Sequence, residues 1–216
     1  MLRSILLAAA APWCAVAFAQ FNTAGRVHFG IGMDLGGHST KLDERFTILG
    51  ATVARTETGS AATTMVPIEF GVGLGKLASL GLLLEPGRYV PDSNAAQQRN
   101  SVALLALQPR FYLLNRDRLA ISASLQIGGA ALRILDETPN QKWDGRYNGP
   151  AIGLGAGGHF GLGAHVALEL HLRYLATRME LRQGEFNGSS VTDFYKATLT
   201  TGGIVAQLGV AFRFGG

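Results

Sequence analysis

The sequence predicts an all-β chain: an eight-stranded antiparallel up-and-down transmembrane β-barrel. Three observations carry this. Apolar and non-apolar residues alternate with period two in eight segments, which separates them onto the two faces of a strand and would scatter them around a helix. The connections between those segments alternate short and long. The composition is 47% hydrophobic and 16% charged, against roughly 25% charged in soluble domains. Yet no stretch beyond the N-terminal leader is an uninterrupted apolar run of about 18 residues, so no spanning helix is expected.

The chain opens MLRSILLAAAAPWCAVAFAQF. Arg3 gives a positive start, Ile5 to Ala11 a short apolar core, and Ala17-Phe18-Ala19 an A-x-A cleavage pattern. Residues 1–19 are therefore read as a secretory signal peptide and 20–216 as the barrel domain. Cys14, the sole cysteine, leaves with the leader, so the exported chain has no disulfide. Pro12 and Trp13 before it make a poor lipoprotein context.

The strands follow in order. Val27, Phe29, Ile31, Met33 and Leu35 alternate with Arg26, His28, Gly30, Gly32 and Asp34. Val66, Ile68, Phe70, Val72 and Leu74 alternate with Pro67, Glu69, Gly71 and Gly73. Leu80, Leu82 and Leu84 stand against Ser79, Gly81 and Glu85; Leu105, Leu107, Phe111 and Leu113 against Gln108, Arg110 and Tyr112. Leu119, Ile121, Leu125 and Ile127 oppose Ser122, Ser124 and Gln126; Ile152, Leu154 and Phe160 oppose Gly153, Gly155, Gly157 and His159. HVALELHLRYL sets Val166, Leu168, Leu170, Leu172 and Tyr174 against His165, Glu169, His171 and Arg173. The eighth sets Ile204, Leu208, Val210, Phe212 and Phe214 against Gln207, Gly209 and Arg213.

Short turns are expected near Gly75-Lys76, Asn115 to Arg118 and Gly161 to Gly163, and long connections at 36–64, 86–100, 131–149 and 176–198. This alternation is the pattern of an outer-membrane barrel with short periplasmic turns and long extracellular loops, both termini being periplasmic. The non-apolar face is mostly Gly, Ser and Gln with a few charges. That is too sparse in charge for a solvated exterior and suits a narrow interior filled by side chains, so the leucine face is assigned to lipid. From Val166 to Tyr174 the strand rises about 27 Å, somewhat over 20 Å once tilted ~40°, close to the ~25 Å apolar band. Ala176, Arg178, Glu180 and Arg182 then mark the membrane edge. Phe111, Phe160, Phe212 and Phe214, outward near the short turns, are candidates for a periplasmic aromatic girdle.

With eight strands, four long connections and the ending GVAFRF with its aromatic Phe214, the chain resembles the small bacterial outer-membrane barrels of the OmpA/OmpX type. Gly215 and Gly216 after that aromatic depart from the family's usual ending. The resemblance implies a Gram-negative envelope, contact with lipopolysaccharide and phospholipid, and handling by the barrel-assembly machinery. Since the eighth strand ends the chain, no peptidoglycan-binding domain is expected.

The inward charges Glu69, Arg110, Glu169, His171 and Arg173 are the candidate functional residues. Charges in a dry interior need partners, so the reading adopted is a salt-bridge network that closes the lumen. The role is then structural or surface-interacting, with the long loops meeting an extracellular partner. The alternative is a narrow, porin-like channel or a conduit for small or hydrophobic solutes, resembling the OmpW type. A remote alternative is a lipid A-modifying hydrolase. His28, His159, His165 and His171 are all expected to point inward, and none stands in an H-x-S arrangement, so no enzyme activity is expected. They lie on at least three strands without clustered spacing, so neither a metal nor a cofactor is expected. The G-x-G and FGVGLGKL stretches lack the order of a phosphate loop. Asn187-Gly188 is read as a hairpin turn. No basic run suggests nucleic acid.

Overall fold

Ten strand segments follow one another in the computed structural model, which describes residues 20–92 and 98–215. They are β1 (Val27–Ile48), β2 (Ala51–Met65), β3 (Ile68–Gly73), β4 (Ala78–Pro91), β5 (Gln98–Asn115), β6 (Leu119–Glu137), β7 (Lys142–Gly161), β8 (Val166–Phe186), β9 (Ser189–Ser190) and β10 (Tyr195–Phe214). The signal peptide expected at 1–19 lies outside the described residues. β2 and β3 are one strand of the ring. Asp34 pairs Met65 and Ile31 pairs Ile68 in a single register, which continues across Val66 and Pro67. Pro67 has no N–H to give to the ladder, although its carbonyl still accepts from Gly32 N at 3.1 Å. β9 is a two-residue bridge onto the end of β8. Eight antiparallel strands therefore form the ring, and β10 closes it by pairing both β8 and β1. Closure leaves no sheet edge within the belt, while among the described residues the β2 ladder above Ala61 is with β1 alone.

The short turns fall where the alternation puts them. The connections expected as long loops differ: most of their residues continue the ladder. β1 and β2 pair as far as Ile48 and Ala51, turning through Leu49 and Gly50 at φ 51° and 83°. β6 and β7 pair out to Glu137 and Lys142. β8 runs to Phe186 and turns through Asn187-Gly188 at φ 50° and 81°, a pair suited to the left-handed conformation. The physical reason is that a ladder needs only backbone bonds and tolerable side chains. The apolar alternation ends at the membrane edge, but TETGSAATT contains nothing that stops pairing.

The outward register carries an apolar belt around the ring. Ile31, Met33, Phe70, Leu82, Leu107, Ile127, Leu154, Leu170, Leu172 and Leu208 are all exposed. A continuous surface of this kind is stable against lipid and not against water. On β8 it ends at Tyr174, above which Arg178, Glu180 and Arg182 point outward.

The interior is two-layered, which corrects the expectation of a uniformly Gly/Ser/Gln and charged lumen. Toward the short turns it is polar. Toward the long hairpins the inward register becomes apolar, with Met65, Leu83, Leu104, Leu132, Leu175, Met179 and Val205 all buried in one cluster. Below the polar layer the segment after the leader turns under the barrel. Phe21 is 1% exposed, its ring centred 4.8 Å from that of His159 and 4.5 Å from the Arg213 guanidinium carbon. Asn22 Nδ2 donates to the carbonyls of Gly75 at 2.6 Å and Ala78 at 2.9 Å.

The face assignment makes a measurable prediction. Leu170→Arg is expected to destabilise the barrel by about 2–4 kcal/mol in urea unfolding from lipid vesicles. Thr58→Arg, exposed on the β1–β2 hairpin, is expected to change stability by under about 0.5 kcal/mol. Equal effects would mean that Leu170 does not face lipid.

Candidate functional site

The polar layer is built from register. The tight β7–β8 hairpin pairs Gly155 with Arg173, Gly157 with His171, and His159 with Glu169. On the inward face His171, Arg173 and Leu175 thus each lie beside a glycine of β7. A Cβ at Gly157 would run into the His171 ring, and one at Gly155 would stand 2.7 Å from the Arg173 Cβ. The GLGAGGHF stretch is therefore the space into which β8 places its charges.

Two triads result. Arg110, from β5, donates through Nη2 to both Glu69 carboxylate oxygens and places Nη1 3.6 Å from Glu169 Oε1. Arg173, from β8, places Nη2 2.5 Å from Asp34 Oδ2 and 2.6 Å from Glu85 Oε1. Each guanidinium thus serves two carboxylates from different strands, and all six side chains are buried. Beside the first triad, His159 Nδ1 lies 2.9 Å from Glu169 Oε1, Ser122 Oγ is 3.2 Å from His159 Nε2, and the His159 and His171 rings meet edge-on at 4.9 Å.

Above the triads the lumen narrows. A space of about 30 Å³ is bounded by Met65, Leu104, Leu175 and Met179 together with two polar pairs. These pairs are His38 with Thr63 and Thr177 with Thr201, each at 2.9 Å. Higher still it opens into two cavities that share Leu42, Ile134 and Tyr147. One, of about 570 Å³, reaches Tyr89 and Leu199. The other, of about 500 Å³, is lined by Phe46, Trp143, Phe186, Phe194 and Tyr195. The rim is fixed by a forked contact: Arg133 Nε and Nη2 donate to Asp144 Oδ1 and Oδ2 at 3.0 and 2.6 Å. It holds the Asp144 carboxyl below the usual carboxylate range.

No family model matches the chain, and no curated protein is significantly similar to it. Solved structures are. Outer membrane protein OprG from Pseudomonas aeruginosa superposes with a TM-score of 0.62 at 15% identity, over 90% of this chain and 98% of that one. The fold is that of a small eight-stranded outer-membrane barrel. Neisserial surface protein A gives 0.47 at 9% identity, over 84% of this chain and 97% of that one. AlkL in lipid bilayers gives 0.47 at 13%, over 89% and 92%. At those values the last two add nothing to the comparison.

Within this outer-membrane barrel, the residues singled out from sequence fall into separate places. Glu69, Arg110 and Glu169 meet in one triad. Arg173 does not join them. Its partners Asp34 and Glu85 were in the inward register but not recognised as such, because β1 and β4 stand across the lumen and no sequence spacing relates them to β8. His171 is buried beside the first triad. Phe111, Phe160 and Phe214 are exposed at the short-turn end, and Phe212 is half-buried there, its ring 6.4 Å from Phe29. His165 corrects the expectation that it points inward: it is exposed in the turn before β8, its Nδ1 3.1 Å from the Arg213 carbonyl. The histidines also correct the expectation of unclustered spacing. His159 and His171 come together because the short hairpin sets them one step apart across adjacent strands. Counting back from the turn at 162–165 would have shown it.

Ser122, His159 and Glu169 have the distances of a nucleophile, base and acid. However, Ser122 and His159 are both 0% exposed, with the Phe21 ring packed against His159 from below, so the hydroxyl is buried in this structure.

The triads predict non-additive energetics. Arg110→Met leaves Glu69 and Glu169 facing each other without a cation, and is expected to destabilise by about 3–5 kcal/mol. Combining it with Glu69→Gln is expected to recover about 0.5–3 kcal/mol as coupling in a double-mutant cycle. Additive effects in urea unfolding would show that the contact carries no coupling.

Proposed function

We propose that the protein is an integral outer-membrane barrel of a Gram-negative cell that takes a small apolar molecule into its upper lumen, while the two triads close the lower lumen to ions. The observation that carries this is the apolar cup. Two adjoining cavities of about 570 and 500 Å³ lie within the usual ~300–1,000 Å³ of small-ligand sites; the smaller is walled by Phe46, Trp143, Tyr147, Phe186, Phe194 and Tyr195, while the larger adds the polar side chains Thr40, Glu57, Ser60 and Asp92 at its mouth, and an apolar throat lies below. The closed lower lumen is supported by the buried ion pairs of Arg110 with Glu69 and of Arg173 with Asp34 and Glu85. The reading keeps the plugged lumen adopted from the sequence and takes the small or hydrophobic solute from the alternative, which the sequence offered as a narrow channel or conduit.

The long hairpins face outward from the cell and both termini face the periplasm, as long hairpins and short turns do in this fold. Just above the apolar belt Lys41, Arg88, Arg133, Arg146 and Arg178 are exposed in the outward register. A cationic collar at that height suits the phosphate-bearing head groups of lipopolysaccharide. The barrel-assembly machinery inserts the chain. We assign it no catalytic role, a reading supported by the burial of Ser122, His159 and Glu169. A purely structural or surface-binding role for the hairpins is the second reading. It is favoured by their length and would leave the cup without a ligand.

Trp143 lines the cup, so its fluorescence reports occupancy. The refolded barrel is expected to bind an apolar probe such as N-phenylnaphthylamine with a saturable change in Trp143 emission, and to be electrically silent in planar bilayers. Ile134→Asp, at the junction of the two cavities, is expected to weaken binding by at least about tenfold, the loss of one buried aliphatic contact. Unchanged binding in Ile134→Asp would end the cup reading. Steady single-channel conductance would end the closed-lumen reading.

A further inference from the structure

We propose that His159, Glu169 and His171 bind one divalent transition-metal ion of the Zn²⁺ class in the lower lumen. Each offers a donor atom, and the three atoms lie within 4.8 Å of one another. All three residues are at least 96% buried, with exposures of 0%, 2% and 4%. Two imidazoles and a carboxylate are the donor set that zinc takes in tetrahedral sites with one position left open. The pleat supplies the geometry. Glu169 and His171 are two apart on β8 and share its inward face, while His159 stands opposite Glu169 on β7.

Two independent features point to a ligand. The first is unspent donors. Glu169 Oε2 and His171 Nε2 have no hydrogen-bond partner, although both are sealed from water. His159 Nδ1 has none of hydrogen-bonding geometry either, despite lying 2.9 Å from Glu169 Oε1. Buried polar atoms of this kind are costly unless something satisfies them. The other ring nitrogen of His159 is fixed by Ser122 Oγ at 3.2 Å. This is the outer contact that orients metal-binding histidines and sets which nitrogen faces the ion.

The second feature is charge. Asp34, Glu69, Glu85 and Glu169 face only two guanidiniums, Arg110 and Arg173, within the two triads. Arg213 is turned away to the Gly163 carbonyl and the Phe21 ring at the short-turn end. Fully ionised, the two triads lack two positive charges. One divalent ion beside Glu169 supplies both. Arg110 does not block it, because its approach is to Oε1 at 3.6 Å and leaves Oε2 free. The competing arrangement places two protons on the histidines or carboxyls instead of an ion. The metal proposal does not depend on what the cup binds.

The test uses the full barrel without a polyhistidine tag, refolded into detergent after EDTA treatment, with and without Co²⁺ or Zn²⁺. Metal content is measured after gel filtration, and folding is checked by heat-modifiable gel mobility. The wild type is expected to retain one ion per chain and to give the intense visible Co²⁺ bands of a four- or five-coordinate nitrogen–oxygen site. His159→Gln and His171→Gln are expected to lose the ion. Ser122→Ala is expected to keep it about 10- to 100-fold more weakly, and His38→Gln, bonded to Thr63 higher in the lumen, to keep it fully. A folded wild type that retains no stoichiometric ion overturns the proposal, and so do histidine variants that retain it unchanged. If the histidine variants do not fold, the wild-type spectrum decides. The weak bands of a six-coordinate, oxygen-only ion would place the metal elsewhere on the barrel and overturn the site.

Discussion

Backbone hydrogen bonding in lipid is the constraint on which the rest of this structure depends. A strand that meets hydrocarbon has no water to satisfy its N–H and C=O groups, so every ring strand must be paired on both sides. The β10–β1 and β10–β8 ladders meet that demand by closing the sheet. Once the ring is closed, the pleat has only two destinations for side chains, lipid and lumen, and a shift of one residue would exchange them. Leu170 and Glu169 are neighbours in sequence and meet opposite solvents for that reason alone. Even Pro67, which cannot donate, sits where its carbonyl still finds Gly32 and the register passes it unchanged.

A ring of eight strands leaves an interior that side chains must fill, and the filling here follows a division of space. On β7 the inward positions 153, 155 and 157 are glycine, while β8 opposite them carries Leu175, Arg173 and His171. Small residues on one strand thus admit large ones from the next. That allows two arginines and four carboxylates in a space where isolated charges would be prohibitive. The same economy fails higher up, where the inward residues become leucine, methionine and tyrosine. An apolar lining there cannot compensate a charge, so the buried arginine–carboxylate pairs lie in the lower half, and the boundary between the layers is held by a threonine–histidine and a threonine–threonine pair.

Period-two alternation was enough to read the ring, its short turns and its lipid face, because those depend on local residues and on one global demand of closure. The Asn187-Gly188 turn was legible for the same reason: the residues themselves favour the left-handed backbone they adopt. The height of the hairpins was not legible, since hydrophobicity reports where lipid ends and not where pairing ends. The pairing of Arg173 with Asp34 and Glu85 was hidden because barrel stagger, not sequence distance, decides which residues of β1, β4 and β8 share a level. The apolar cup went unread for a different reason. With apolar residues at both parities, as in Leu83-Leu84 and Leu104-Leu105, the alternation signal weakens, and attention to the clearer outward set conceals the inward one.

The two layers also bear on each other. A molecule entering from the hairpin end meets aromatic and aliphatic walls first, then the throat near Met65 and Leu175, and then a carboxylate–arginine layer fixed by contacts among β1, β3, β4, β5 and β8. Moving an apolar molecule past that layer would mean separating the arginine–carboxylate pairs, which costs several kcal/mol for each uncompensated ion. Water or an ion moving upward meets the reverse obstacle, an apolar throat with few polar groups to replace its hydration. On the closed-lumen proposal, each layer therefore excludes what the other admits. The seal in that proposal arises from their stacking, with Phe21 and Asn22 packed under the short-turn end.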